Sequence, residues 1–201
     1  RDRGTRVRAW QGIPDITVDN AEQITVLERP PWDADMDLTN HAVDVPLSDV
    51  VAGPSRVGMK TRGMLVSVRE DSGFIKRCTE CRRVLRDGAC FDHGANEGTE
   101  DVRLRLVVDH EGVTAAVLVN KEASLAALGL SLEEMRAKVE ELGDVGFVQH
   151  VRELLLGRNI AVSGRSIVDD QGAMVLADGF EVEAHDAQMR ASELRMQWGW
   201  A

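Results

Sequence analysis

All three cysteines of the chain, and one of its five histidines, fall in a single pattern, Cys78-x2-Cys81-x8-Cys90-x2-His93. Each half is a knuckle offering two donors, and two such knuckles joined by a turn supply the tetrahedron of soft and borderline ligands that zinc prefers. A loop this short cannot bury enough apolar area to hold itself together, so the ion is expected to set its fold. Four protein donors leave no open position for a reacting water, which makes the expected role structural. The rival reading is unrelated cysteines, or one disulfide and a spare thiol; an odd count confined to metal-like spacing speaks against it. Histidines 41, 110, 150 and 185 stand alone and read as surface or turn residues.

Around this loop the chain divides at its prolines. All five lie before residue 55, at 14, 30, 31, 46 and 54. Residues 33 to 56 are acidic and turn-rich, and read as a linker or strap with at most a short helix near Leu47 to Val51. Residues 1 to 32 offer three short β-type runs, near Thr5 to Trp10, Ile13 to Val18 and Gln23 to Glu28. Three strands without a covering helix are too few for an independent sheet, so they read as the end of a preceding domain. The opening residue, Arg1, likewise reads as a fragment or a processed start.

After Pro54 the periodicities are clear. Gly58 to Val68 is strand-like. From Val102 to Asp109, Val102, Leu104, Leu106 and Val108 alternate with Arg103 and Arg105, predicting a half-buried strand that presents two guanidiniums on its outer face. The turn Asp109-His110-Glu111-Gly112 leads into a second strand, Val113 to Val119. Helical patterns cover Glu122 to Leu128, Ser131 to Leu142, with Ser131 and Glu134 as a capping box, and Phe147 to Leu156. Two more strands, Ile160 to Val168 and Met174 to Val182, precede a terminal amphipathic helix over 186 to 201. That helix carries Ala187, Ala191, Leu194 and Trp198 on one stripe, with Met189, Met196 and Trp200 nearby. The order strand, metal loop, strand, strand, helix, strand, strand matches a mainly β chain, an OB-fold five-stranded barrel over residues 57 to 185 with a ribbon inserted at 74 to 94.

Chemistry other than binding lacks its minimum parts. No Walker loop, G-x-G-x-x-G or G-x-S-x-G is present, and no His-x-Glu accompanies the cysteines as a deaminase would need, so the chain reads as a non-enzyme. No run approaches the roughly 18 apolar residues of a membrane span, and an intracellular protein with no membrane partner is expected. The net charge of −10 argues against a uniformly basic nucleic-acid binder, but its distribution is uneven. Residues 56 to 105 hold eleven Lys or Arg against eight Asp or Glu, a balance of +3 that leaves −13 for the remainder. Twenty arginines to four lysines, with this acidic excess, would suit a salt-loving or GC-rich source.

The stretches GFIKRCTECRRVLRDGACFDHG, EDVRLRLVVDHEGVTAAVL and NIAVSGRSIVDD, in that order, resemble the zinc-containing domain of the replication protein A family, above all its archaeal forms. The resemblance spans about Val57 to Trp200, and residues 1 to 32 look like the last strands of a preceding OB-fold of the same family. It implies sequence-tolerant binding of single-stranded DNA in replication, repair and recombination, with structural Zn2+ on Cys78, Cys81, Cys90 and His93, near the nucleoid. The strand pair after the ribbon would form the ligand face, putting Arg103 and Arg105 first among DNA contacts unless they pair with Glu100 or Asp101. Lys76, Arg77, Arg82, Arg83 and Arg86 crowd the knuckles, and Lys121 and Arg165 extend the set. The family stacks bases on aromatic rings, yet this chain has no Tyr; Phe74 and Phe91 are the remaining platforms, unless each packs beneath the ribbon as its small core. The terminal helix implies a possible homo- or hetero-oligomer, and the alternative function is an assembly domain whose DNA is held elsewhere.

Overall fold

A computed structural model of the chain describes residues 6–10, 13–29, 42–183, 191–192, 194–196 and 198–199. Strands β1 (Arg6–Trp10) and β2 (Ile13–Thr17) form an antiparallel hairpin that is a two-stranded sheet of its own. The third β-type run is not a strand. Gln23 Oε1 accepts the backbone N–H of Asp19 at 2.7 Å and of Asn20 at 3.2 Å, and these bonds close a 3-10 turn over Ala21–Gln23 instead. Residues 30–41, Trp32 among them, lie outside the described residues.

Of the stretch expected to be a linker or a strap, the part from Val43 onward is an ordered strap on the barrel, with the short helix expected near Leu47 in place. Strand β3 (Val43–Asp44) runs parallel to β4 (Arg56–Val68), and between them helix α1 (Leu47–Ala52) turns Leu47 and Val50 inward until both are fully buried. These residues, one turn apart, pack on several barrel strands, which a solvated linker would not do. Then come β5 (Gly73–Arg77), β6 (Ala89–Cys90), β7 (Gly94–Ala95), β8 (Thr99–His110), β9 (Val113–Val119), helices α2 (Lys121–Leu128) and α3 (Leu132–Leu155), and strands β10 (Asn159–Asp169) and β11 (Gly172–Val182).

Strand β4 pairs with β8, β8 with β9, β9 with β11, β11 with β10 and β10 again with β4, so the sheet closes on itself. Only the β9–β11 pairing among these is parallel. This is the OB-fold, with the cysteine-bearing loop between its first and second barrel strands and the helices between its third and fourth. The alternation of β8 holds: Val102, Leu104, Leu106 and Val108 are at most 1% exposed, and they meet Leu65, Val117 and Val162 inside the barrel. Ser131 and Glu134 form the expected capping box, and the two helical patterns beyond it run together as α3, kinked at Gly143 (φ 70°, ψ 169°). No helix among the described residues is long and apolar enough to cross a membrane. Of the terminal helix, 191–192 and 194–196 are helical, with Met196 and Trp198 exposed; Ala187, Met189 and Trp200 lie outside the described residues.

Candidate functional site

Strand β5 leaves the barrel paired with the start of β8 and delivers the chain to Cys78. The Cys78 N–H donates to the Arg83 carbonyl at 2.7 Å, and the Arg82 N–H donates back to the Cys78 carbonyl at 3.0 Å, which folds the first knuckle. Arg82 sits at φ 63°, a left-handed conformation costing a non-glycine residue roughly 1–2 kcal/mol. The second knuckle follows β6. Sγ of Cys78 and Nδ1 of His93 are 3.6 Å apart, Sγ of Cys90 and the same Nδ1 3.6 Å, and the sulfurs of Cys81 and Cys90 3.5 Å. All four donors lie within 4.8 Å of one another and can hold a metal ion. Burial at Cys90 is outweighed by backbone N–H groups of Asp92 and His93, holding its thiol below its usual pKa; at Cys81 a bond from Arg83 is outweighed by burial and the neighbouring thiols, which push it up.

On the barrel wall at the root of this ribbon lies a groove of about 500 Å³. Val57, Leu118 and Leu176 line it, three guanidiniums reach it from different strands, Arg77 of β5, Arg103 of β8 and Arg165 of β10, and Asp178 is its one lining carboxylate. Arg165 arrives there through a β-bulge. The β10–β11 register slips between Ser163 and Gly164, Gly164 sits at φ 149°, and a Cβ on it would fall 2.2 Å from the Leu176 carbonyl oxygen. Only glycine fits, and the kink leaves Arg165 exposed while the next residue, Ser166, is buried.

No protein-family model matches the sequence, and no curated protein does. Among solved structures, a chain of a replication protein A heterotrimer bound to ssDNA superposes at TM-score 0.51 and 13% identity over 80% of this chain. The fold is replication protein A-like. The chain spans 41% of that chain's length. Yeast RPA bound to ssDNA gives TM-score 0.42 at 14% identity over 69% of this chain and 85% of the other. The S. pombe Stn1–Ten1 complex gives 0.31 at 12% over 73% and 72%.

On this replication protein A-like frame the residues singled out from the sequence separate. Arg103 and Arg105 share one face, but both are held by Asp71, at 2.7 Å each, rather than by Glu100 or Asp101. Asp101 instead binds Arg77, and Glu100 binds Arg136 of α3 at 2.6 Å. Phe74 is no open platform: its ring packs against the barrel core and the Arg136 guanidinium covers it, 5.5 Å from the centroid. Phe91 does the opposite of packing beneath the ribbon and is 96% exposed. Lys76, Arg82, Arg83 and Arg86 are exposed, with Arg83 paired to Asp92. Lys121 opens α2 just past Asn120, which does line the groove. The groove's apolar floor had no signal in the sequence, because Val113 to Val119 is apolar on both faces and Leu118 cannot be told from its buried neighbours. Asp71 lies in the loop between β4 and β5, where no periodicity places a side chain.

The buried Nε of Arg103 has no hydrogen-bond partner, and burial pulls the group's pKa down against the pull of Asp71. It stays protonated at neutral pH. Burial raises the pKa of Asp71, but the bond from Arg105 and the charges of Arg105 and Arg103 outweigh it; at Asp101 the bond from Arg77 does the same. A carboxylate held below its unfolded pKa stabilises the fold above that value, about 3.9, and loses the contribution as pH falls through its folded pKa. Melting curves of Asp71→Asn with Asp101→Asn should therefore lie below those of the parent at pH 7. The gap should shrink as pH drops below about 4. A gap that is constant with pH would mean the variants act through packing.

Proposed function

We propose that the chain is a non-enzymatic, intracellular binding module for single-stranded DNA in replication, repair and recombination, with the strand lying along the groove of Arg77, Arg103 and Arg165. The observation that carries this is the convergence of three guanidiniums, from three strands, on one largely apolar groove in a chain of net charge −10. Phosphates would meet the cations, and bases the apolar wall, with no base-edge readout to impose sequence. Arg103 and Arg105, shared with Asp71, would exchange part of that carboxylate contact for phosphate.

The ribbon's ion is read as zinc. A tetrahedron with Zn–S near 2.3 Å and Zn–N near 2.0–2.1 Å has edges of about 3.8 Å between sulfurs and about 3.6 Å between sulfur and nitrogen. The separations of 3.5 and 3.6 Å among Cys81, Cys90, Cys78 and His93 fit that cage, and its four protein donors make it a structural site.

Fluorescence anisotropy on a labelled oligo-dT tests the reading. The parent should bind, with affinity falling steeply with salt, and Arg103→Ala with Arg165→Ala should bind about ten- to a hundred-fold more weakly. The salt slope should drop by about 0.7 for each lost contact. No binding by zinc-loaded parent at low salt would end the proposal, and an unchanged affinity in the double variant would remove the groove from it. A second reading, an assembly domain, is favoured by the exposed Met196 and Trp198, 76% and 57%, at the end of an acidic chain. Light scattering with and without residues 186–201 separates the two.

A further inference from the structure

The groove takes up one end of β4 and β8, and the other end of the same two strands carries a second hollow. A depression of about 550 Å³ is lined by Arg62 and Met64 of β4, Asp109 of β8, Glu111 of the turn that follows, and Glu183. A smaller one, of about 390 Å³, lies along Asp44, Val45 and Pro46 of the strap. Arg62 and His110 line both, so the two form one trough. No residue lines both trough and groove, and Asp109 stands six residues along β8 from Arg103, about 20 Å at the rise of a strand.

The bed of the trough is apolar, with Met64 46% exposed. Its rim sets four carboxylates, Asp44, Asp109, Glu111 and Glu183, against one guanidinium, and all four belong to the acidic part of the chain outside residues 56 to 105. That guanidinium shows what the rim can hold: Arg62 is bound by Asp44 and, at 2.8 Å, by Glu183. Asp109 and Glu111 have no ion-pair partner among the described residues. A metal ion does not fit there, since among the described residues only the cysteine cluster brings three or more such donors within reach of one ion. A polynucleotide would be repelled by the same four charges. What fits is a Lys or Arg, whose apolar stem can lie on the bed while its head meets carboxylate.

We infer that the trough docks a short basic segment of a partner protein, seating an apolar side chain against Met64 and a Lys or Arg head on Asp109 and Glu111. Because trough and groove lie apart, the partner binds without competing for the groove. That it is thereby carried on single-stranded DNA rests on the proposed function; the docking itself does not.

Anisotropy of a labelled peptide alternating Arg and Leu, beside one alternating Arg and Ser, tests this on the whole zinc-loaded chain. The Arg-Leu peptide should bind the parent about ten-fold more tightly than the Arg-Ser peptide, and Met64→Ser should narrow that gap. Asp109→Asn with Glu111→Gln keeps an acceptor for the Gly112 N–H that Asp109 holds at 3.4 Å, and should bind the Arg-Leu peptide about ten-fold more weakly. Glu133→Gln with Glu141→Gln removes the same two charges from exposed positions of α3 and should bind it as the parent does. Equal losses in the two pairs would assign the attraction to net charge and overturn the site, as would equal binding of the two peptides or no binding at all. The trough pair should bind oligo-dT like the parent; a loss there would make nucleic acid the occupant and end the inference. If the parent binds the peptide but no oligo-dT, the proposed function falls and the docking site stands.

Discussion

Stripping the metal should unfold the ribbon and leave the barrel standing. The expectation comes from where apolar side chains are buried: between Cys78 and His93 only Cys78 and Cys90 are fully buried, while the core cluster lies in the barrel, α1 and the helices that follow β9. On the proposed reading of the four donors as a zinc site, the ribbon's order rests on the ion, and structural zinc in small ribbons is worth about 10–16 kcal/mol of apparent folding free energy. Chelation should accelerate exchange of the Cys78 and Leu85 amides, which donate to Arg83 and Lys76 carbonyls, by at least about a thousand-fold, some 4 kcal/mol. Amides of β8 and β9 should keep their protection. Cys81→Ala should do the same without chelator. A Cys81→Ala protein with full zinc content and unchanged ribbon protection would overturn the site.

The parts of the molecule that sequence makes legible are those where one local rule acts alone. Cysteine spacing located the cage because a tetrahedron needs its donors in two close pairs, and β8 was readable because one wall of it is buried and the other wet. The short helix at Leu47 is legible, but its burial is not: two apolar residues among prolines and acids are too few for a period, and what covers them is barrel strands far along the chain. The groove was half legible. Arg103 announces itself by alternation, but Arg165 reaches the same place only through the bulge at Gly164, and Arg77 only because β5 pairs with β8. Counter-charges were the hardest part: Asp71 is more than 30 residues from both arginines it holds. The sequence leaves Phe91 open between an exposed ring and a small core beneath the ribbon, because a ring beside cysteines suits either; it stands exposed, and four clustered donors occupy the place of that core.

Phe147→Ala should be among the most damaging single substitutions in the barrel and should also reach the groove. Phe147 is 1% exposed and is the largest of the fully buried side chains. Removing a buried ring costs about 3–5 kcal/mol, through lost transfer free energy and the cavity left behind. For a domain of this size that lowers the melting temperature by roughly 10 °C. The ring lies beneath Gly73, where a Cβ would be 3.6 Å from its Cδ1 atom, and Gly73 is the register partner of Arg103. Helix α3 thus supports the start of the β5–β8 ladder, which pairs Gly73 with Arg103 and Arg77 with Thr99 and carries both arginines to the groove. At a temperature where the variant is still folded, its affinity for oligo-dT should fall by more than any unfolded fraction explains. Val145→Ala, two residues away and 85% exposed, should change stability by no more than about 0.5 kcal/mol and leave affinity alone. A loss below about 1 kcal/mol in Phe147→Ala would mean the cavity collapses freely and that β5 is held by its ladder with β8. A normal affinity in a clearly destabilised variant would break the link between α3 and the groove and leave Phe147 a residue of the core alone.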